Sequence, residues 1–504
     1  MKRYMCSKCG YIEECENMSQ DFICPKCGAL SNSFNLYEEQ LAESEIDAII
    51  NSVIEDAYEI KNSKIINNNE DQKSLVIGNN NYVVEKKEDK CINCGQCKKI
   101  CENVANLTYN LNYCKEPICI GCGKCINICP SKALNIKSNI KEIKEIIDLN
   151  EKIVIAILSQ STIASFKEKY GKDEGINIEK KLISSLKKIG FDFVFDESYG
   201  SDLLVLEETA ELIERLRSKS KLPLITSRCP SARKYIEIYH PDLINNLSTC
   251  KSDSNMISSV IKNYFCKEKG FDPLKIVNVL ISTCPAKKME IKEYETDLDY
   301  VLSTQELEQL IQDENIKIEI LDDKEYDEVI SESSSCGSLF QNIGGQTESV
   351  IRTLYRIMSR KNIVIDSEIF QSIRQTNGIS ENALLINKNK IKVAVVEKME
   401  NLEKILRNDY YKNFHYIELM NCENGCIGGS ENLIIENSQN ENNIIRKNII
   451  FNQDLNKETK CAHDNKMIKK LYSNYYKKPL SEIGLSELHS GFHDKNYLLN
   501  DKQN

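Results

Sequence analysis

From about residue 150 to the end, short apolar runs alternate with stretches whose apolar residues recur every three or four positions. The runs at 153–158, 191–195, 222–226, 276–282 and 391–396 read as strands. The amphipathic stretches at 178–189, 203–217, 256–267, 305–312, 348–360 and 402–408 read as helices, as does 467–476. Such alternation predicts α/β structure built on parallel strands. The Asn/Lys/Asp-rich patches near 436–444 and 454–466 read as surface loops. Upstream the pattern changes. A helical stripe of Leu41, Ile46, Ile49, Ile50, Val53 and Ile54 spans about 37–60, and a polar linker follows at 62–71.

At 504 residues the chain is too long for one core. The expected divisions are a small knuckle at 1–36, a helix and linker at 37–84, a second small module at 85–140, and a large α/β domain at 150–500. A net charge of -10 argues against nucleic acid as a partner. No apolar run reaches the ~18 residues of a membrane span, and the start has no apolar stretch like a signal peptide. The expected location is the cytoplasm. There, 22 cysteines are better read as metal ligands than as disulfides. Six of them (Cys15, Cys114, Cys250, Cys266, Cys336 and Cys461) fit no ligand pattern and read as small buried hydrophobes.

The other sixteen fall into three groups. Cys6-x2-Cys9 and Cys24-x2-Cys27 are paired knuckles that close one tetrahedral site for iron or zinc. They are similar to the rubredoxin-like modules of rubrerythrin-type proteins, which implies one redox iron. Cys91-x2-Cys94-x2-Cys97-x3-Cys101 and Cys119-x2-Cys122-x2-Cys125-x3-Cys129-Pro130 form the bacterial two-cluster ferredoxin pattern. Its fourth cysteines cross over. One [4Fe-4S] cube is expected on Cys91, Cys94, Cys97 and Cys129, and the other on Cys119, Cys122, Cys125 and Cys101. The third group is scattered: Cys229, Cys284, Cys422 and Cys426. Four thiolates can hold one further cube.

The segments Thr226-Ser-Arg-Cys-Pro-Ser, Ser282-Thr-Cys-Pro-Ala-Lys-Lys-Met-Glu290 and Glu418-Leu-Met-Asn-Cys-Glu-Asn-Gly-Cys-Ile-Gly-Gly429 resemble, in combination, the three cluster motifs of the [FeFe]-hydrogenases. The resemblance covers roughly 85–500. It implies a hydrogenase-like α/β domain of two parallel or mixed-sheet halves around a buried cluster. That cluster is a [4Fe-4S] cube on Cys229, Cys284 and Cys422, linked through Cys426 to a di-iron unit. Lys287 resembles the lysine that hydrogen-bonds a cyanide ligand, and Met420 the apolar packing residue. Glu208, Glu211 and Ser248 resemble the proton relay; alone, the glutamates would read as a solvated helix face. Ser161, in the pair Gln160-Ser161, stands where the family shows Pro-Ser or Pro-Ala. The implied activity interconverts protons, electrons and dihydrogen. The implied partners are a ferredoxin-like or flavodoxin-like electron carrier and the maturation enzymes that install the di-iron unit.

Arg228 departs from that pattern. The family places a proton-donating cysteine there, and arginine stays protonated at any working pH. The expected result is slow turnover, with the Arg228 guanidinium stabilising anionic ligands, raising a reduction potential, or pairing with Glu208 or Glu211. Two other readings follow from the same residues. One is a dihydrogen- or redox-sensing regulator, and the other an iron–sulfur carrier or assembly protein with a hydrogenase-like fold.

Overall fold

The computed structural model describes residues 2–6, 12–15, 19, 21–25, 29–31, 34–36, 74–75, 77–107, 118–171, 176–330, 332–361, 368–374, 378–435 and 439–500. The chain divides into two units, Met1–Asp71 and Gln72–Asn504. In the first, β1 (Lys2–Cys6), β2 (Ile12–Cys15) and β3 (Phe34–Leu36) form an antiparallel sheet in the order β2-β1-β3. Cys9 and Cys27 lie outside the described residues, as do the stripe expected at 37–60 and the linker at 62–71.

The second unit begins with an antiparallel pair, β4 (Val84–Lys86) and β5 (Leu134–Ile136). Between them lie the helices Gln96–Asn103 and Lys124–Asn127, each preceded by a glycine in the left-handed region: Gly95 at φ 77° and Gly123 at φ 72°. A non-glycine residue there would carry a steric penalty.

Two four-stranded sheets form the rest. In the first, β6 (Ile153–Leu158), β7 (Phe193–Asp196), β9 (Ile276–Ser282) and β10 (Tyr300–Ser303) run parallel in the order β10-β9-β6-β7. All seven residues of β9 are buried, as expected of a parallel strand covered on both faces. In the second sheet, β8 (Leu224–Ile225), β12 (Asn389–Glu397) and β13 (Tyr416–Met420) are parallel, and β11 (Ile379–Ile386) pairs antiparallel at the edge. The strands at 153–158 and 276–282 match the sequence pattern, and the others shift by a few residues. The pattern missed β10, β11 and β13. Parallel and mixed sheets are thus both present, as the sequence resemblance implies. No helix among the described residues is long and apolar enough to cross a membrane.

The expected loop near 436–444 is instead the start of a helix, Gln439–Asn456. Its buried stripe is Asn442, Asn443, Arg446, Ile450 and Asp454, while Ile444 is 60% exposed. The inward face is largely polar, so an apolar periodicity could not find it. Arg446 reaches Glu168 at 2.9 Å, and Asp454 reaches Arg352 at 3.2 Å and Arg374 at 3.0 Å.

The helix Gly345–Ser359 is capped from a strand. Buried Glu418 on β13 accepts from Gly344 N at 2.9 Å, Thr347 N at 2.7 Å and Thr347 Oγ1 at 2.7 Å, satisfying amides that a helix start leaves free. A Cβ on Gly345 would fall inside contact distance of the Leu339 carbonyl oxygen. Gly345→Ala is therefore expected to cost about 1–3 kcal/mol through overpacking. Gly270→Ala meets nothing within 4 Å at φ +70° and is expected to cost only about 1 kcal/mol of backbone strain. Thermal unfolding midpoints of the two variants compare these costs directly.

Candidate metal centre

The two sheets aim the carboxyl ends of their parallel strands at one cavity of about 540 Å³. Cys229 lies just past β8, immediately before the helix Pro230–Tyr239, with Pro230 in a first-turn position that needs no amide. Cys284 follows β9. Cys422 and Cys426 follow β13, with Cys426 in the turn Gly425–Gly428. All four cysteines line the cavity, with Arg228, Lys287, Glu197, Gln341 and Met420.

Burial raises the Cys284 thiol well above its ordinary range, and the sulfurs of Cys426, Cys229 and Cys422 raise it further. Burial likewise pushes Cys422 up to about 12 and Cys426 to about 11. Crowded, buried sulfurs such as Cys284, Cys422 and Cys426 resist becoming thiolates without a compensating cation. Thiolate is the form that ligates metal. This donor set fits an iron–sulfur cluster, and Arg228 and Lys287 supply positive charge for an anionic one.

Arg228 is buried. Its Nε donates to Asp253 Oδ2 at 2.9 Å and its Nη1 to the Phe340 carbonyl at 2.8 Å. The expected pairing with Glu208 or Glu211 does not occur. Those carboxylates are held by other donors, and Asp253 at the start of the helix Asp253–Val260 reaches the guanidinium first. Burial opposes the charge on Arg228, but Asp253 and then the Cys426 sulfur hold it firmly protonated. Lys287 Nζ lies 2.9 Å from Glu290 and 3.9 Å from Asp253, which hold its charge against burial. Arg233 meets Glu290 from the other side at 3.1 Å.

Sequence reasoning missed three groups at this site: Asp253, Glu197 and Gln341. Glu197 follows β7 and accepts from Gln341 Nε2 at 3.2 Å. Burial, then the nearby Asp253 charge, push its carboxyl up to about 8. Its one sequence signal was its place after an apolar run, where ligand sites of parallel sheets lie. Ser161 does not line the cavity. Thr283 Oγ1 donates to the Cys426 carbonyl at 2.8 Å and lies 3.0 Å from Ser161 Oγ, so Ser161 sits one residue behind the wall.

Glu208, Ser248 and Glu211 form a connected buried line. Ser248 Oγ donates to Glu211 Oε2 at 3.0 Å and lies beside Glu208. Tyr416 and Gln346 donate to Glu208 at 2.6 and 2.8 Å, and Arg215 donates to Glu211 at 2.6 Å. Neither glutamate lies on a solvated face. Burial, against the pull of the donors around it, pushes Glu208 up to about 7. A carboxyl raised in the fold stabilises most below its unfolded value, and that gain is lost as pH rises through the folded value. Across pH 4.5 to 7 the loss is roughly 3 kcal/mol for a shift of this size. Glu208→Gln is expected to flatten the fall of the unfolding midpoint over that window, as thermal scans at pH 5 and 8 would show.

The segment 118–130 docks on the same site. Ser231 Oγ donates to the Ile120 carbonyl at 2.8 Å, Ser430 Oγ to the Cys122 carbonyl at 3.0 Å, and Lys124 Nζ to the Asn421 carbonyl at 3.3 Å. A second cavity, of about 410 Å³, is lined by Cys101, Cys119, Cys122 and Cys125. Cys122 borders both cavities. Cys97 and Cys129 pack in one small core near it, and Leu75 N approaches Cys97 Sγ at 3.3 Å.

Residues 152–430 match the family described as iron only hydrogenase large subunit, C-terminal domain, and residues 441–495 match iron hydrogenase small subunit. The chain is 32% identical to Iron hydrogenase 1 of Clostridium pasteurianum over 361 residues, covering 69% of this chain and 62% of that protein. It thus spans less than two thirds of that relative's length. It is 24% identical to cytosolic iron-sulfur assembly component 3 of Mus musculus over 377 residues, covering 70% and 78% respectively. The fold resembles a variant of [FeFe]-hydrogenase HydA1 from Chlamydomonas reinhardtii at TM-score 0.63 and 25% identity, covering 71% of this chain and 99% of that one.

Proposed function

Because the chain belongs to the iron-only hydrogenase family, we propose that it is an iron–sulfur oxidoreductase interconverting dihydrogen with protons and electrons. The observation that carries this reading is the convergence of four cysteines on one buried cavity beside fixed cations. Cys229, Cys284, Cys422 and Cys426 would hold a [4Fe-4S] cube, with Cys426 also joined to a di-iron unit. When bound, that group supplies the redox-active iron at which dihydrogen is made or consumed.

The chain's own residues would bind, orient and move protons. Lys287 presents an ammonium donor at the cavity edge, suited to an anionic ligand. Met420 closes the wall against water. Glu208, Ser248 and Glu211 would pass protons along their hydrogen bonds. Arg228 occupies the proton-transfer position but cannot release a proton, which makes turnover slow. Glu197 brings a carboxyl to the cavity wall that keeps its proton near neutral pH.

Cys101, Cys119, Cys122 and Cys125 would hold one relay cube, and Cys91, Cys94, Cys97 and Cys129 another. Cys6, Cys9, Cys24 and Cys27 would hold a single iron or zinc. The electron partner would be a ferredoxin-like or flavodoxin-like carrier, and maturation enzymes would install the di-iron unit.

Anaerobic co-expression with such enzymes tests the reading. Infrared bands of carbonyl and cyanide together with dihydrogen uptake or evolution are expected. Bands without turnover would favour a sensing regulator, a reading that the fixed Arg228–Asp253 pair supports. No bands would move the assembly-protein reading to first place.

A further inference from the structure

One lysine stands between the two cavities. Lys124 opens the helix Lys124–Asn127 and lines the cavity of Cys101, Cys119, Cys122 and Cys125. Its Nζ donates across to the Asn421 carbonyl at 3.3 Å, one residue before Cys422. The side chain thus runs from the wall of one cavity to the turn that carries a cysteine of the other. The backbone around it is pinned. Asn127 Nδ2 donates to the Ser430 carbonyl at 2.8 Å, and Ser430 Oγ donates to the Cys122 carbonyl at 3.0 Å. A Cβ on Gly123 would fall inside contact distance of Ser430 Oγ and Pro285 Cγ. Residues 122–124 therefore lie directly against the segments that follow Cys284 and Cys426.

A carbonyl needs only a neutral donor, so this hydrogen bond alone does not call for an ammonium. Lys124 is half-buried, and among the described residues no carboxylate pairs with it. The other cations of the site differ. Arg228 meets Asp253, and Lys287 meets Glu290. An ammonium drawn from water without a counter-ion is unfavourable. A cube held by four thiolates is an anion, and reduction adds one more negative charge. Net charge is among the factors that set a cluster's potential. Burial disfavours the thiolate at Cys122 and at Cys422, and the Lys124 charge is the next largest influence at both, favouring it.

Resting on the reading that cubes fill both cavities, we propose that Lys124 is a positioning residue of the electron path, an ammonium that raises the reduction potentials of the relay cube and the catalytic cube together. In the step it serves, one electron leaves the reduced relay cube and enters the oxidised catalytic cube. The first is oxidised, the second is reduced, and no bond forms or breaks. The electron stays in the field of Lys124 before and after the step. The charge therefore brings both cubes within reach of the carrier without tilting the transfer between them.

The test uses the full chain with its clusters loaded anaerobically and its iron counted. Redox titration followed by electron paramagnetic resonance reads the potential of each cube. The signals are assigned by their change in Cys119→Ala and in Cys284→Ala. In Lys124→Met both the relay and the catalytic cube are expected to become harder to reduce, each by roughly tenfold in the ratio of reduced to oxidised form, which is about 59 mV. Lys124→Gln keeps a donor for the Asn421 carbonyl and is expected to shift as far as Lys124→Met. Lys124→Arg keeps the charge and is expected to hold the wild-type potentials. A role confined to the hydrogen bond predicts instead that Lys124→Gln stays with the wild type, and that result overturns the proposal. A shift in one cube alone also overturns it. If Lys124→Met fails to load iron, the comparison of Lys124→Gln with Lys124→Arg decides. Wild-type protein with no cube signals would overturn the underlying reading, whereas signals at unchanged potentials in the uncharged variants overturn this inference alone.

Discussion

Arg228→Cys is expected to raise dihydrogen turnover by roughly 10²- to 10⁴-fold, the range that a well-placed proton donor contributes. Arg228 lines the cavity and is locked to Asp253 at 2.9 Å. A guanidinium so held adds positive charge but never releases a proton. A thiol in its place has a pKa within reach of neutrality. The substitution also strands Asp253, whose remaining partners are Ser201 Oγ at 3.1 Å, Ser254 N at 3.1 Å and Lys287 Nζ at 3.9 Å. The double variant Arg228→Cys, Asp253→Asn removes that buried charge and is expected to keep the gain with a higher unfolding midpoint than the single variant. The measurement is dihydrogen evolution by matured protein, normalised to the infrared bands of the bound cluster. Unchanged turnover at full loading would falsify the assignment of Arg228 as the cause of slow turnover.

Much of this site was legible because its chemistry is local. Cys229, Cys284, Cys422 and Cys426 stand in short motifs whose residue types only a thiolate-bound group explains, and each follows a parallel strand. The charge partner of Arg228 was not legible. Many carboxylates lie within plausible reach in sequence, and which one meets the guanidinium is fixed by how the helix Asp253–Val260 packs. Glu208 and Glu211 stand out in the sequence beside Ser248, but what they bond was not legible: their acceptors are taken by Tyr416, Gln346, Arg215 and Ser248. The polar helix Gln439–Asn456 was invisible for a related reason. Its inward face is held by ion pairs and amides, so hydrophobic periodicity carries no trace of it.

Asp253→Asn is expected to destabilise the fold by about 3–5 kcal/mol, the cost of leaving one member of a buried ion pair without its counter-charge. Asp253 is fully buried and serves both Arg228 and Lys287. Burial raises its carboxyl, but those two cations more than offset that and hold it below the usual carboxylate range. The amide fits the same space, so the loss is one of charge. Glu197 makes the cost depend on pH. Its carboxyl sits at about 8, from burial first and the Asp253 charge second. Without Asp253 that value falls, and Glu197 can ionise at neutral pH and replace part of the missing negative charge. At pH 5 Glu197 is neutral with or without Asp253, so the full cost applies. Toward pH 8 the variant ionises Glu197 earlier than the wild type, and the gap narrows. Unfolding midpoints of both proteins at pH 5, 6.5 and 8 measure this directly. A gap that stays constant across the series would show that Glu197 does not sense Asp253. A gap that closes would make Glu197 the titrating group of the cavity wall.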